Sequence, residues 1–153
     1  GGFRMNDRPT ILILDDEELI IQSLGKTLQK FGCAVVICLH PLEALDRLTR
    51  TKIDLVISDL RMPAMDGIHF LTELKNQIPD ALRVLLVAPE DRETALQAVN
   101  CQIADWFLTK PWEEQLLKIT LRLLLRCRQA VRENNLPGQI LTEPEQNNER
   151  ISS

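Results

Sequence analysis

The sequence predicts an α/β protein in which one parallel sheet is covered by helices on both faces. Five short apolar runs, 10–14, 34–38, 53–58, 83–87 and 104–108, alternate with stretches whose apolar residues recur at helical spacing. The runs are continuous rather than alternating, as strands buried on both faces are. Three of them end on charged residues: Asp15-Asp16, Asp59 and Lys110. In a parallel sheet all three ends fall on one edge, where ligands bind in such folds.

Taken in order, Thr10–Leu14 is the first strand and runs into Asp15-Asp16-Glu17-Glu18. Leu19, Ile20, Leu24, Leu28 and Phe31 mark a helix that Gly32 stops. Ala34–Cys38 is the second strand; Leu42, Ala44, Leu45 and Leu48 mark the next helix, with Pro41 in its first turn. The third strand, Ile53–Ser58, delivers Asp59 at its carboxyl end. Pro63 and Gly67 punctuate the loop that follows, and Asp66 is placed to cap a helix starting near Ile68 and carrying Phe70, Leu71 and Leu74. Arg83–Val87 is the fourth strand, and Asp91–Asn100 a helix with Ala95, Leu96 and Val99 inward. Ala104–Leu108 is the fifth, ending on Thr109-Lys110-Pro111.

From Trp112 one long helix is expected to about Asn134, with two adjacent apolar stripes: Leu117, Leu121, Leu124 and Val131 beside Leu116, Leu123, Cys127 and Ala130. Its first half is expected to close the sheet. Its second half either frays or pairs with a second copy or a following domain. Leu136-Pro137-Gly138 ends the helix, and the polar stretch from Glu143 to Ser153 reads as disordered. The expected organisation is a lead-in over 1–9 (Gly1 to Arg4 as a tag remnant before Met5), one domain over 10–125, a helical extension over 126–135, and a tail or linker over 136–153.

With 153 residues, 44% hydrophobic and 26% charged, the chain has the composition of a single globular domain. A net charge of −4 with scattered basic residues argues against direct nucleic-acid contact. No apolar run is long enough to span a membrane. Cys33, Cys38, Cys101 and Cys127 form no CxxC pair or zinc-ligand spacing, and with His40 and His69 isolated the simplest reading is reduced thiols in a cytoplasmic protein.

Asp15, Asp16 and Asp59 on one sheet edge repel one another; at an effective dielectric near 20, each pair at about 4 Å costs roughly 4 kcal/mol. A divalent cation removes that cost, and hard oxygen donors with an open coordination shell suit Mg²⁺. Lys110 adds a point charge able to hold a phosphate oxygen. Carboxylates, a cation and a lysine together suit phosphoryl transfer with one carboxylate as nucleophile.

These residues resemble the receiver domain of bacterial two-component response regulators: Asp15-Asp16 after the first strand, Asp59-Leu-Arg-Met-Pro-Ala-Met-Asp66-Gly67 after the third, Lys110-Pro111 after the fifth. The resemblance runs from about Thr10 to Leu125 and implies a doubly wound, flavodoxin-like sheet in the order 2-1-3-4-5, an order for which the family supplies a standard example, here with an extended C-terminal helix. It also implies that Asp59 is phosphorylated by a histidine kinase or histidine phosphotransfer protein. Asp15 (largely through water), Asp16, Asp59 and the Arg61 backbone carbonyl would hold Mg²⁺. Lys110 would contact the phosphoryl group, the Lys110–Pro111 bond is commonly cis in the family, and Phe107 matches the switch aromatic, with a plain core phenylalanine as the alternative. One position departs: the family's Thr or Ser at the end of the fourth strand is Val87 here, followed by Ala88 and Pro89, which border the phosphate site. Valine has threonine's shape without its hydrogen bond, so the strength of the phosphorylation switch is in question.

The expected function is therefore a phosphoacceptor domain, not an enzyme beyond its own phosphorylation and dephosphorylation, relaying to an output domain or partner. The alternative is a receiver-fold binding or dimerisation module with weakened phosphate coupling. A Mg²⁺-dependent aspartyl phosphatase of the haloacid dehalogenase type needs a second Asp two residues after the nucleophile as acid; Arg61 stands there. The run Phe107–Trp112 resembles receivers fused to cyclic-dinucleotide phosphodiesterases and other enzymatic outputs.

Overall fold

The computed structural model describes residues 8–134. In chain order the elements are β1 (Thr10–Leu14), α1 (Glu18–Lys30), β2 (Ala34–Cys38), α2 (Pro41–Arg50), β3 (Leu55–Asp59), α3 (Gly67–Gln77), β4 (Leu82–Val87), a 3₁₀ turn (Pro89–Asp91), α4 (Arg92–Asn100), β5 (Trp106–Thr109) and α5 (Glu114–Asn134). All strand pairs are parallel, in the order β2-β1-β3-β4-β5. The fold class read from the sequence is the one observed, long last helix included. The chain divides after Leu117 into two compact units. The sheet and its crossovers lie in the first, and residues 118–134 are the helical remainder of α5.

Alternate residues of the buried strands serve opposite faces. Leu12, Leu14, Val56, Leu85 and Val87 join Phe70, Leu71 and Leu74 of α3, Ala44 and Leu48 of α2 and Ala95 and Ala98 of α4 in one apolar cluster. On the other face α1 lies close on Ile13, Val35 and Ile37, near enough that a methyl group on Gly25 would meet all three at van der Waals distance. Burying each large aliphatic or aromatic side chain contributes about 1.5–3 kcal/mol, and the fully enclosed Phe70, Leu71 and Leu74 make α3 the anchor of the loop that precedes it.

Helix limits follow local chemistry. Pro41 opens α2 behind His40, whose imidazole Nδ1 accepts from the Leu42 amide. Gly32 takes φ 94° after α1, a conformation that favours glycine. One inward assignment is corrected: Leu96 is 46% exposed, while Ala98 is buried. Of the residues that mark the first two helices, Leu19 is 82% exposed and Leu42 60%, while Ile21 is buried. Counting three or four residues back from Leu24 and Leu28 reaches Ile21 and not Leu19; in α4 the short Ala95 and Ala98 form the face that lies close to the sheet.

On α5, Leu117 and Leu121 are buried, whereas Leu116, Leu123 and Val131 are exposed. The tail beyond residue 134, with the helix end expected at Leu136-Pro137-Gly138, lies outside the described residues.

Candidate functional site

The register of the sheet brings the charged strand ends together. Leu14 is paired with Ser58, so Asp15 and Asp59 emerge side by side. Val87 is paired with Thr109, and the Lys110 amide donates to the Val87 carbonyl at 2.7 Å, which holds Lys110 at the same edge. The Lys110–Pro111 peptide is cis.

One carboxylate oxygen from each of Asp15, Asp16 and Asp59 lies within 4.8 Å of the others, with Asp15 and Asp59 buried and Asp16 exposed. Lys110 Nζ donates to Asp59 Oδ1 at 3.1 Å and stands 3.3 Å from Asp15 Oδ2 and 3.8 Å from a Glu17 oxygen. Backbone amides hold the acids in place: Glu17 N–H donates to Asp15 Oδ1, and Leu60 N–H to Asp59 Oδ1. The β3–α3 loop is closed by the Gly67 amide donating to the Leu60 carbonyl at 2.7 Å, and by Asp66 accepting from the His69 amide as the N-cap of α3. Gly67 is obligatory: a Cβ there would collide with the Asp59 carbonyl oxygen and stand 3.0 Å from Leu60 Cα.

The electrostatics follow from burial. Desolvation pushes the Asp15 carboxyl above the usual carboxylate range, and the neighbouring Asp59 adds to that; the Glu17 amide and Lys110 only partly offset it. Burial also works against the charged form of Lys110, but the hydrogen bond to Asp59 and the fields of Asp15 and Asp59 outweigh it and raise its pKa. A raised pKa means that the folded state binds the proton more tightly than the unfolded one. The Lys110 contribution is therefore present below the ordinary lysine value and lost as pH rises through its folded value. The same sign for Asp15 makes its ionisation a cost to folding at neutral pH, which a cation would remove. Asp15 Oδ2 is buried and has no aligned hydrogen bond. A buried oxygen whose only cationic neighbour among the described residues is the Lys110 ammonium, set among three converging carboxylates, leaves a donor set that fits a divalent cation such as Mg²⁺.

The remaining predicted residues surround these groups at the strand ends and in the loops that follow. Val87 is fully buried in the apolar cluster, and Phe107 packs against that cluster with its ring centroid 5.8 Å from Trp106. Ala88 and Pro89 lead into the 3₁₀ turn. The Arg61 side chain turns to Asp91 and forms a forked ion pair, Nε to Oδ2 at 3.0 Å and Nη2 to Oδ1 at 2.7 Å. Sequence reasoning missed this partner and the approach of Glu17 to Lys110; a pairing between loops 30 residues apart leaves no periodic signal. Asp16, Arg61, Asp66 and Thr94, with Leu60 and Met62, border a cavity of about 420 Å³.

Residues 11–122 match the family described as the response regulator receiver domain. The chain belongs to that family. The receiver is 31% identical over 125 residues to the transcriptional regulatory protein PrrA of Mycobacterium leprae, covering 80% of this chain and 52% of that protein. It is 35% identical over 114 residues to the transcriptional regulatory protein GlrR of Escherichia coli, covering 74% of this chain and 26% of that one. The chain thus spans about half or less of these relatives. The crystal structure of the signal receiver domain of an HD domain-containing protein from Pseudomonas fluorescens superposes with a TM-score of 0.76 at 33% identity, covering 82% of this chain and 93% of that chain. No described helix of the receiver is long and apolar enough to cross a membrane.

Proposed function

We propose that this receiver accepts a phosphoryl group on Asp59 from a phosphohistidine of a kinase or phosphotransfer protein, in the cytoplasm, and relays that state to an output domain or partner. What supports the reading above all is the convergence of Asp15, Asp16 and Asp59 on one point with the Lys110 ammonium 3.1 Å from Asp59. An Asp59 carboxylate oxygen attacks phosphorus; the P–O bond forms as the P–N bond breaks, and the departing imidazole nitrogen keeps the electron pair and takes a proton from water. Lys110 holds a phosphoryl oxygen and offsets the developing charge. Asp15, Asp16, Asp59 and the Arg61 carbonyl would hold Mg²⁺, which supplies charge neutralisation at the transferring group. Backbone amides of Glu17 and Leu60 keep the acids oriented. Ala88 and Pro89, which carry no polar side-chain atom, are the residues proposed to govern access to the phosphate, and Phe107 is the candidate switch aromatic.

Intact-mass spectrometry with acetyl phosphate tests the assignment. One phosphoryl group is expected, only with Mg²⁺, and none in Asp59→Asn. A shift that survives the substitution, or needs no metal, overturns it.

The buried apolar Val87 favours a second reading, a receiver fold that binds or dimerises with weakened phosphate coupling. The exposed row Leu116, Ile119 and Leu123 on α5 is the surface proposed for a homodimer. Sedimentation should give a dimer that Leu123→Glu dissociates; a monomer at high concentration counts against pairing.

A further inference from the structure

The forked pair between Arg61 and Asp91 is not needed to hold the carboxylates of the site, yet it ties the loop that follows Asp59 to the start of α4. Asp91 is its buried end, with a side chain 9% exposed, and Arg61 its exposed end, at 75%. Asp91 makes no side-chain cap to α4, so its carboxylate is committed to the guanidinium. The pair holds the Asp91 carboxyl below its usual range, principally through the hydrogen bond from Arg61. The next feature is what β4 lacks. Val87, Ala88 and Pro89 carry no polar side-chain atom, so the first polar groups after the strand are Glu90 and Asp91. No hydroxyl at the end of β4 can feel the state of Asp59. Arg61 can: it sits two residues along the chain, and its side chain borders the same cavity as Asp16, which reaches α4 at Thr94.

We propose that Arg61 is the arm through which this receiver senses phosphorylation: it holds α4 through Asp91 in the unmodified chain, and a phosphoryl group on Asp59 draws the guanidinium away and releases the first turn of α4. The proposal rests on Asp59 being the phosphoacceptor. A guanidinium offers a planar fork to either anion, but a phosphoryl group carries about −1.5 to −2 charges against one on a carboxylate. That difference is the differential affinity a two-state shift requires.

Backbone amide spectra with and without beryllofluoride and Mg²⁺, for the native chain, Asp91→Asn and Asp91→Glu, test this, with the ¹⁹F signal of bound beryllofluoride as an independent report of occupancy at Asp59. In the native chain the mimic should shift the amides of Arg92 to Leu96. In Asp91→Asn those amides should already lie near their released positions, and the mimic should move them little although it binds. Asp91→Glu should recover part of the response. An undiminished α4 response in occupied Asp91→Asn, or none in the occupied native chain, overturns the proposal and leaves the phosphoacceptor assignment standing. Absence of the ¹⁹F signal from every chain removes that assignment, and the proposal with it.

Discussion

Strands β3 and β4 lie side by side, with Asp59 in register with Leu86, yet their ends are built for different work. The end of β3 is charged and tightly held: Asp59 takes a backbone amide and an ammonium, and the following loop is closed by the Gly67 amide and anchored by α3. The end of β4 is apolar. Val87 is sealed in the core, and the turn beyond it is joined to the β3 side by the exposed guanidinium of Arg61. On the proposed function, phosphoryl chemistry belongs to the first end and its transmission to the second, so substitutions at the two should separate capture from response.

The largest effect is expected from Lys110→Gln, which leaves converging carboxylates without their cation. Removing one preorganised donor to a developing oxyanion costs on the order of 100-fold or more in rate. Phosphoryl uptake from acetyl phosphate should slow by about that factor, measured by mass against time at saturating Mg²⁺. Uptake at the native rate would place the stabilising charge elsewhere and break the comparison at the β3 end.

Next is Gly67→Ala. The new methyl group meets backbone on both sides, at the Asp59 carbonyl and Leu60 Cα, and no flexible side chain can yield. A loss of roughly 3 kcal/mol is expected, at the upper end of ordinary single substitutions, read from urea unfolding. A change under about 0.5 kcal/mol, the range of neutral surface substitutions, would mean that the loop tolerates a different path and does not fix Asp59.

These two positions also indicate what the sequence could carry. Strand order, the acidic edge and the Asp66 cap were legible because each has a local or periodic signature: β-branched apolar runs, charge at a run's end, an Asp one residue before α3. Leu96 was misassigned because a helix with apolar residues on two faces does not announce which faces the sheet; Ala98 is chosen by packing. The Arg61–Asp91 pair was invisible for a stronger reason. Which of several nearby acids an arginine selects depends on the folded course of two loops, and Asp66 and Glu90 also act on that guanidinium without being its partner.

The smallest effect, and the one that most sharpens the contrast, is expected from Val87→Thr. Val87 has no exposed surface, so a threonine hydroxyl there must find a partner within the fold or remain unsatisfied. An unpaired buried hydroxyl costs about 1–3 kcal/mol, and the thermal midpoint of the unmodified protein should fall accordingly. With beryllofluoride on Asp59 the hydroxyl gains an anionic acceptor, and a hydrogen bond to a charged group contributes about 1.5–3 kcal/mol. The destabilisation should therefore shrink or vanish when the mimic is bound, whereas the native Val87 side chain adds nothing to holding the mimic. Thermal midpoints of both proteins with and without the mimic read this directly. The mimic should raise the midpoint of Val87→Thr more than that of the native chain, and the amides of Phe107 should respond more strongly. Equal increments would mean that a hydroxyl at the end of β4 does not reach the phosphoryl group.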